Sequence, residues 1–192
     1  MGHRLHQPEC VGGLAEYMGL TTADLVVGQE ARVLSEEKTE SEALLRGKGW
    51  KATIEPCLCT ELDGRSAGVM VAVRKHIGMR LSISEGTAPA DLKHRCTFGF
   101  VSAIIRGGFH LGSIYLVSSI GVKAKRNMNI LDAVATTLKT LSGRWIIGGD
   151  FNCTPEQLEA TGWLRMVGGV IVATKVPTAS TERLTSSLCR RP

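Results

Sequence analysis

Aromatic side chains are scarce in this chain, at 5% of residues, which excludes the broad stacking platforms that hold single-stranded nucleic acid by its bases. Long apolar runs are missing too. No stretch reaches the roughly 18 residues of a membrane span, and the N-terminus has no apolar core of a signal peptide. Met1-Gly2 opens like a myristoylation signal, but His6 stands where Ser or Thr is required. These absences predict no membrane partner and favour an intracellular protein of the cytoplasm or nucleus. Cysteine is present without a pattern: Cys10, Cys57, Cys59, Cys96, Cys153 and Cys189 form no Cys-x-x-Cys pair. Cys57-Leu-Cys59 is too tight for a zinc knuckle. The expectation is a set of reduced thiols, most of them buried, and no zinc site.

What is present is ordinary for a globular protein. The chain has 192 residues, 43% hydrophobic and 21% charged, enough for one domain with a substantial core. A net charge of +5 and a pI near 9.0 fit an anionic partner, nucleic acid first among them. The basic residues are scattered, and charge alone does not single that partner out. No repeat or low-complexity linker divides the chain.

Hydrophobic periodicity predicts alternating helices and strands. A helix spans Val11 to Leu20, with Leu14, Tyr17 and Met18 on one face, and a short buried strand runs from Ala23 to Gly28. A charged helix covers Ser35 to Leu45, with Leu44 and Leu45 turned inward. Strands follow at Lys51–Glu55, Gly68–Arg74, Arg80–Ser84, Thr97–Arg106 and His110–Val117. Two glycines in Arg106-Gly-Gly-Phe109 accept positive φ and predict a hairpin. Lys125 to Leu141 is the clearest helix, with Met128, Leu131, Val134, Ala135 and Leu138 on one stripe. A strand at Trp145–Gly149, a helix at Pro155–Met166 and a strand at Gly169–Thr174 complete the pattern. The expected fold class is α/β, a sandwich with mixed sheets.

The segment Arg144-Trp-Ile-Ile-Gly-Gly-Asp-Phe-Asn-Cys-Thr-Pro-Glu-Gln157 carries the strongest chemical signal. Gly148-Gly149 end a buried strand where the absence of side chains leaves the backbone open to a ligand. Strand alternation puts Asp150 and Asn152 on one face and Phe151 in the core. Thr154, Pro155 and Gln157 spell a capping box, so a helix starts directly afterwards. A carboxylate and an amide are thus held on a rigid strand-to-helix corner, although Asp and Asn also serve plain turns. A second corner, Gln29-Glu30, closes the strand that begins near Ala23. A hard cation such as Mg²⁺ takes one or two protein carboxylates with water and phosphate.

Gln29-Glu30 at a strand end, Tyr115 in a later strand and Gly149-Asp150-Phe151-Asn152 resemble, in that order, the endonuclease/exonuclease/phosphatase superfamily, which has the deoxyribonuclease-I-like fold. Ala67–Arg74 is similar to that family's central strand. Asp150 to Val170 is similar to endonucleases related to non-LTR retrotransposons. The resemblance covers Leu14 to Thr178 and implies a four-layer α/β/β/α sandwich of two mixed β-sheets. It also implies roles. Glu30 and Asp150 bind Mg²⁺ or Mn²⁺, and Asp150 orients and deprotonates the attacking water. Asn152 holds phosphate oxygens, and Tyr115 donates to the developing phosphorane. The expected function is metal-dependent phosphoester hydrolysis, an endonuclease-like domain acting on nucleic acid.

Two family parts are absent from the pattern. Residues 1 to 29 contain no Asn, where the family begins with an Asn-bearing strand, and no His follows Asp150. The expectation is therefore a domain over residues 1–178, truncated at both ends and lowered in activity, followed by a tail at 179–192. Its alternative is an inactive remnant that binds nucleic acid or phosphorylated ligands. Gly64-Arg-Ser66-Ala-Gly68 matches a nucleophile elbow of serine hydrolases, but that motif needs a strand before it and a helix after it. Here a polar stretch precedes it and an apolar strand pattern follows.

Overall fold

The structure, a computed structural model, describes residues 9–59, 64–82, 90–102, 104–173 and 185–190. In chain order the elements are α1 (Glu9–Leu20), β1 (Leu25–Gln29), α2 (Lys38–Gly47), β2 (Trp50–Glu55), β3 (Leu58–Cys59), β4 (Arg65–Ser66), β5 (Val69–Arg74) and β6 (Met79–Leu81). After a 3-10 turn at Ala90–Leu92 come β7 (Cys96–Val101), β8 (Phe109–Tyr115), α3 (Lys125–Thr140), β9 (Arg144–Asp150), α4 (Pro155–Glu159), α5 (Trp163–Val167), β10 (Gly169–Ala173) and β11 (Thr185–Arg190). Three strands form one sheet in the order β1-β5-β2, and six form a second in the order β10-β11-β9-β8-β7-β6. Strands β8 and β9 run parallel, joined by the crossover helix α3, and the other pairings in these two sheets are antiparallel.

Strand period two explains how the layers form. In β5, Val-Met-Val-Ala-Val is buried on both faces. Met70 and Ala72 pack with Ala15 and Met18 of α1, Leu45 of α2, and Trp50. Val71 and Val73 point the other way, into a layer shared with Val101, Phe109, Leu111, Val27 and Ile146 from the two sheets. On the far side of the larger sheet, Phe98, Ile114, Trp145 and Ile147 pack against Leu131, Val134 and Leu138 of α3 and Trp163 of α5. The result is helix, sheet, sheet, helix, as the sequence pattern and the resemblance led one to expect.

Local signals explain the boundaries. The capping box is formed: Gln157 N–H donates to Thr154 Oγ1 at 3.3 Å and Thr154 N–H to Gln157 Oε1 at 3.0 Å. The β7–β8 hairpin closes with Gly107 and Gly108 at φ +84° and +69°. Residues 64–68 lead into strand β5 rather than a helix, so no nucleophile elbow is built at Ser66. Of the cysteines, Cys57, Cys96 and Cys153 are buried and Cys59 is exposed.

Four expectations are corrected. The helix predicted for Pro155–Met166 is broken into α4 and α5, because Gly162 takes φ +77° and interrupts the helical path. Leu44 is not turned inward; it is 41% exposed, and Leu45 alone of the pair is buried. The stretch expected as a tail contains β11, which lies between β9 and β10 with Thr185 opposite Asp150 and Cys189 opposite Val170. Its alternation, Thr-Ser-Ser-Leu-Cys-Arg, is too polar to read as a buried strand, and pairing on both sides overrides that composition. Lastly, Gly148 and Gly149 are small because of packing. A Cβ at Gly148 would sit 2.5 Å from Val27 Cγ2 of the facing sheet, and one at Gly149 would sit 2.3 Å from the carbonyl oxygen of Ile114.

Candidate active site

The layer between the sheets changes character at one end. Residues 25, 27 and 29 of β1, 111, 113 and 115 of β8, and 146, 148 and 150 of β9 alternate onto the faces that meet there. Apolar Leu25, Val27, Leu111 and Ile146 fill its middle. At the strand ends the same faces carry Gln29, Ser113, Tyr115 and Asp150. Gln29 Nε2 donates to Ser113 Oγ at 3.0 Å, and Ser113 Oγ donates to the Gly28 carbonyl at 2.9 Å, which fastens β1 across to β8. Glu30, the next residue, takes φ +52° and is exposed. Its turn is held where Ala31 N–H donates to the Gly68 carbonyl at 3.0 Å.

Tyr115 is the meeting point. It is 7% exposed and packs with Ala67 and Val69. Its hydroxyl donates a hydrogen bond to Glu30 Oε1. In the parallel register it lies directly beside Asp150. Burial, then the hydrogen bond and charge of Glu30, and finally the charge of Asp150 push its pKa up to about 12; the Arg95 guanidinium opposes them. The phenol therefore keeps its proton at neutral pH. Arg95 is buried at 7% exposure and stacks with Cζ 5.0 Å from the Tyr115 ring centroid. Arg32 Nη2 lies 3.3 Å from Glu30 Oε2.

At the β9 corner the strand ends with Asp150, and Asn152 takes φ +48°. Asn152 N–H donates to Asp150 Oδ1 at 2.9 Å, and Asn152 Nδ2 donates to the Leu116 carbonyl at 2.8 Å. The corner is thus both an Asx turn and a fixed presentation of carboxylate beside amide. Phe151 is buried, as alternation predicted, and anchors the corner from behind. The exit of β8 is fastened by a buried clamp: Asn127 Oδ1 accepts from Val117 N–H at 2.8 Å. Its Nδ2 donates to the Val117 and Gly121 carbonyls at 3.0 and 2.9 Å.

Glu30, Tyr115, Asp150 and Asn152, the residues singled out from sequence, are drawn to this one end of the sandwich. Arg32, Arg95, Ser113 and Asn127 went unnoticed: Arg95 and Ser113 join the site through contacts between distant segments, and Arg32 and Asn127 through nearby bonds that no motif marks. Arg95, just ahead of β7, has no sequence signal tying it to Tyr115. Among the described residues no three or more His, Cys, Asp and Glu side chains gather into a metal cluster. A site built on one or two carboxylates does not require such a cluster.

A two-sheet sandwich with acid, phenol and amide at one edge of the inter-sheet layer is an arrangement suited to phosphoester hydrolysis. The family model described as "Endonuclease/Exonuclease/phosphatase family" matches residues 10–170, and the chain belongs to that family. No curated protein matches the sequence. Among solved structures, a humanized TDP2 of D. rerio carrying 14 mutations is 15% identical, with a TM-score of 0.56 over 94% of this chain and 89% of that one. The catalytic domain of human Nocturnin with bound sulfate is 12% identical, with a TM-score of 0.64 over 94% and 73%. The AP endonuclease LMAP of Leishmania major is 12% identical, with a TM-score of 0.59 over 95% and 75%. At these identities the likeness shows the fold.

Proposed function

We propose that this chain is a divalent-metal-dependent phosphodiesterase acting on nucleic acid, with Glu30, Asp150, Asn152 and Tyr115 as its working residues. The observation that carries the reading is convergence: Glu30 accepts from the Tyr115 hydroxyl and Asp150 lies beside Tyr115 in the parallel register, although the two carboxylates are far apart in sequence. The donors fit Mg²⁺ or Mn²⁺, because the Glu30 and Asp150 carboxylates are hard ligands and Glu30 is open to solvent. When bound, the metal supplies Lewis-acid stabilisation of charge on the phosphoryl oxygens.

The protein's own groups do the rest. Asp150, half-buried and held by Asn152 N–H, orients a water and takes its proton as it attacks phosphorus. Asn152 faces phosphate oxygens with its amide, and Tyr115, kept protonated by burial, donates to the oxygen on which charge develops. The net charge of +5 favours a polyanionic substrate. D. rerio TDP2, one of the structural neighbours, has been solved with a single-strand DNA product, which supports the choice of nucleic acid.

Incubation of the full chain with supercoiled plasmid and Mg²⁺ tests the reading. The wild type nicks, EDTA stops it, and Asp150→Asn lowers the rate by about 100-fold or more. Nicking that survives EDTA or Asp150→Asn refutes the assignment. Salt-sensitive binding with no nicks identifies a non-cutting remnant instead.

A further inference from the structure

Arg95, which stacks on Tyr115, also lines a cavity of about 360 Å³ together with Lys93, His94, Arg126, Leu58 and Ile130. The lining carries the basic side chains of Lys93, Arg95 and Arg126, and the Glu55 carboxylate meets its wall where it accepts from His94 N–H at 3.2 Å. Arg95 is buried at 7% exposure, and among the described residues its Nε has no hydrogen-bond partner. A buried guanidinium N–H without an acceptor is costly. Burial, together with repulsion from Arg126, lowers the Arg95 pKa. Glu30 is the carboxylate whose charge reaches Arg95, and it is already engaged by Tyr115 and Arg32.

Helix α3 adds positive charge at the same place. Arg126 stands in its first turn, which has no acidic residue, and its N-cap, Ala124, offers no side-chain acceptor. The first-turn N–H groups and the positive end of a 16-residue helix therefore sit beside Arg126. His94 Nδ1 donates to the Pro56 carbonyl at 2.6 Å, so its ring is fixed at the wall. The cavity has a buried cation inside, exposed Lys93 and Arg126 at its mouth, and apolar Leu58 and Ile130 beside them. That is the chemistry of a phosphate pocket.

We propose that this cavity binds a second phosphate of the substrate, next to the one being cleaved. The inference rests on the phosphodiesterase reading and sharpens it: the enzyme selects chains bearing a phosphate on one side of the scissile bond over isolated phosphodiesters. Arg95 then has two tasks, stacking on Tyr115 and donating to the neighbouring phosphate, which couples substrate docking to the position of the phenol.

The test measures binding by calorimetry in Mg²⁺, with Asp150→Asn to prevent turnover. Its ligands are a thymidine dinucleotide and the same dinucleotide with an added 5′- or 3′-phosphate. One added phosphate tightens binding by about tenfold or more, as a charge-assisted contact should. The gain disappears in the double variant Asp150→Asn with Arg126→Glu; Arg126 is exposed, so its exchange leaves the core intact. If neither terminal phosphate improves binding, or if the gain persists in the double variant, the pocket assignment is overturned. The two readings fail separately. A phosphate-dependent gain in a chain that never nicks plasmid removes the hydrolase reading and keeps the pocket, whereas nicking without the gain removes the pocket alone.

Discussion

Alkaline pH offers a direct probe of the contact on which the site is built. The Tyr115 phenol is buried and bonded to Glu30, and these two effects, with Asp150, lift its pKa from the usual 10.0 to about 12. A phenol is neutral while protonated, so below the unfolded value of roughly 10 both states hold the proton and stability is unaffected. Between the two values the unfolded chain sheds the proton and the folded chain retains it. Stability then falls with rising pH, by at most about 1.4 kcal/mol per unit. Above about 12 both forms are ionised and the loss levels off. The full window amounts to nearly 3 kcal/mol, and solvent around the exposed Glu30 reduces that to about 2 kcal/mol. Urea unfolding of wild type and Tyr115→Phe, at about pH 8 and about pH 11, isolates this contribution from lysine titration common to both. The wild type should lose about 1 kcal/mol more than the variant over that interval. Tyrosinate absorbance gives an independent readout, because Tyr17, at 65% exposure, is the other tyrosine of the chain. Equal losses in the two proteins, or complete tyrosine ionisation of the native wild type by about pH 11, would refute the buried phenol–carboxylate contact.

Three further outcomes rest on packing and hydrogen bonds near the site. Gly149→Ala should destabilise by about 3 kcal/mol or more in urea unfolding, because the new methyl meets the backbone of Ile114 in the neighbouring strand. Gly148→Ala should cost less, about 1–2 kcal/mol, since its obstacle is a Val27 methyl that can shift; equal midpoints for the two variants would show that the strand spacing is misjudged. Asn127→Ala should lose about 3 kcal/mol, as Val117 N–H and two carbonyls are left without their side-chain partner. A midpoint within error of the wild type would remove Asn127 as the clamp on the exit of β8.

Local chemistry was readable in the chain because its causes lie within a few residues. The stripe of α3, the capping box at Thr154 and Gln157, and the hairpin glycines Gly107 and Gly108 each rest on contacts inside one turn or one strand. The broken α4–α5 segment escaped because apolar Trp163 and Leu164 continue the helical spacing through Gly162, whose backbone angle decides otherwise. Strand β11 escaped because its polar composition says nothing of the two neighbours that pair with it. For the site, sequence provided the residue types: Glu30, Tyr115, Asp150 and Asn152, each at or near a strand end.

What joins those residues belongs to the tertiary structure alone. The parallel register of β8 and β9 sets Tyr115 beside Asp150, and the Gln29–Ser113 bond draws β1 and its Glu30 toward them. Arg95 reaches the Tyr115 ring only because β7 pairs with β8. Sequence by itself determined which groups could do phosphoester chemistry and which local elements would carry them, since side-chain type and backbone periodicity are properties of neighbours in the chain. Register, sheet-on-sheet packing and the cluster of cations around Arg95 were decided by contacts between distant segments, whose geometry exists only once the sandwich has closed.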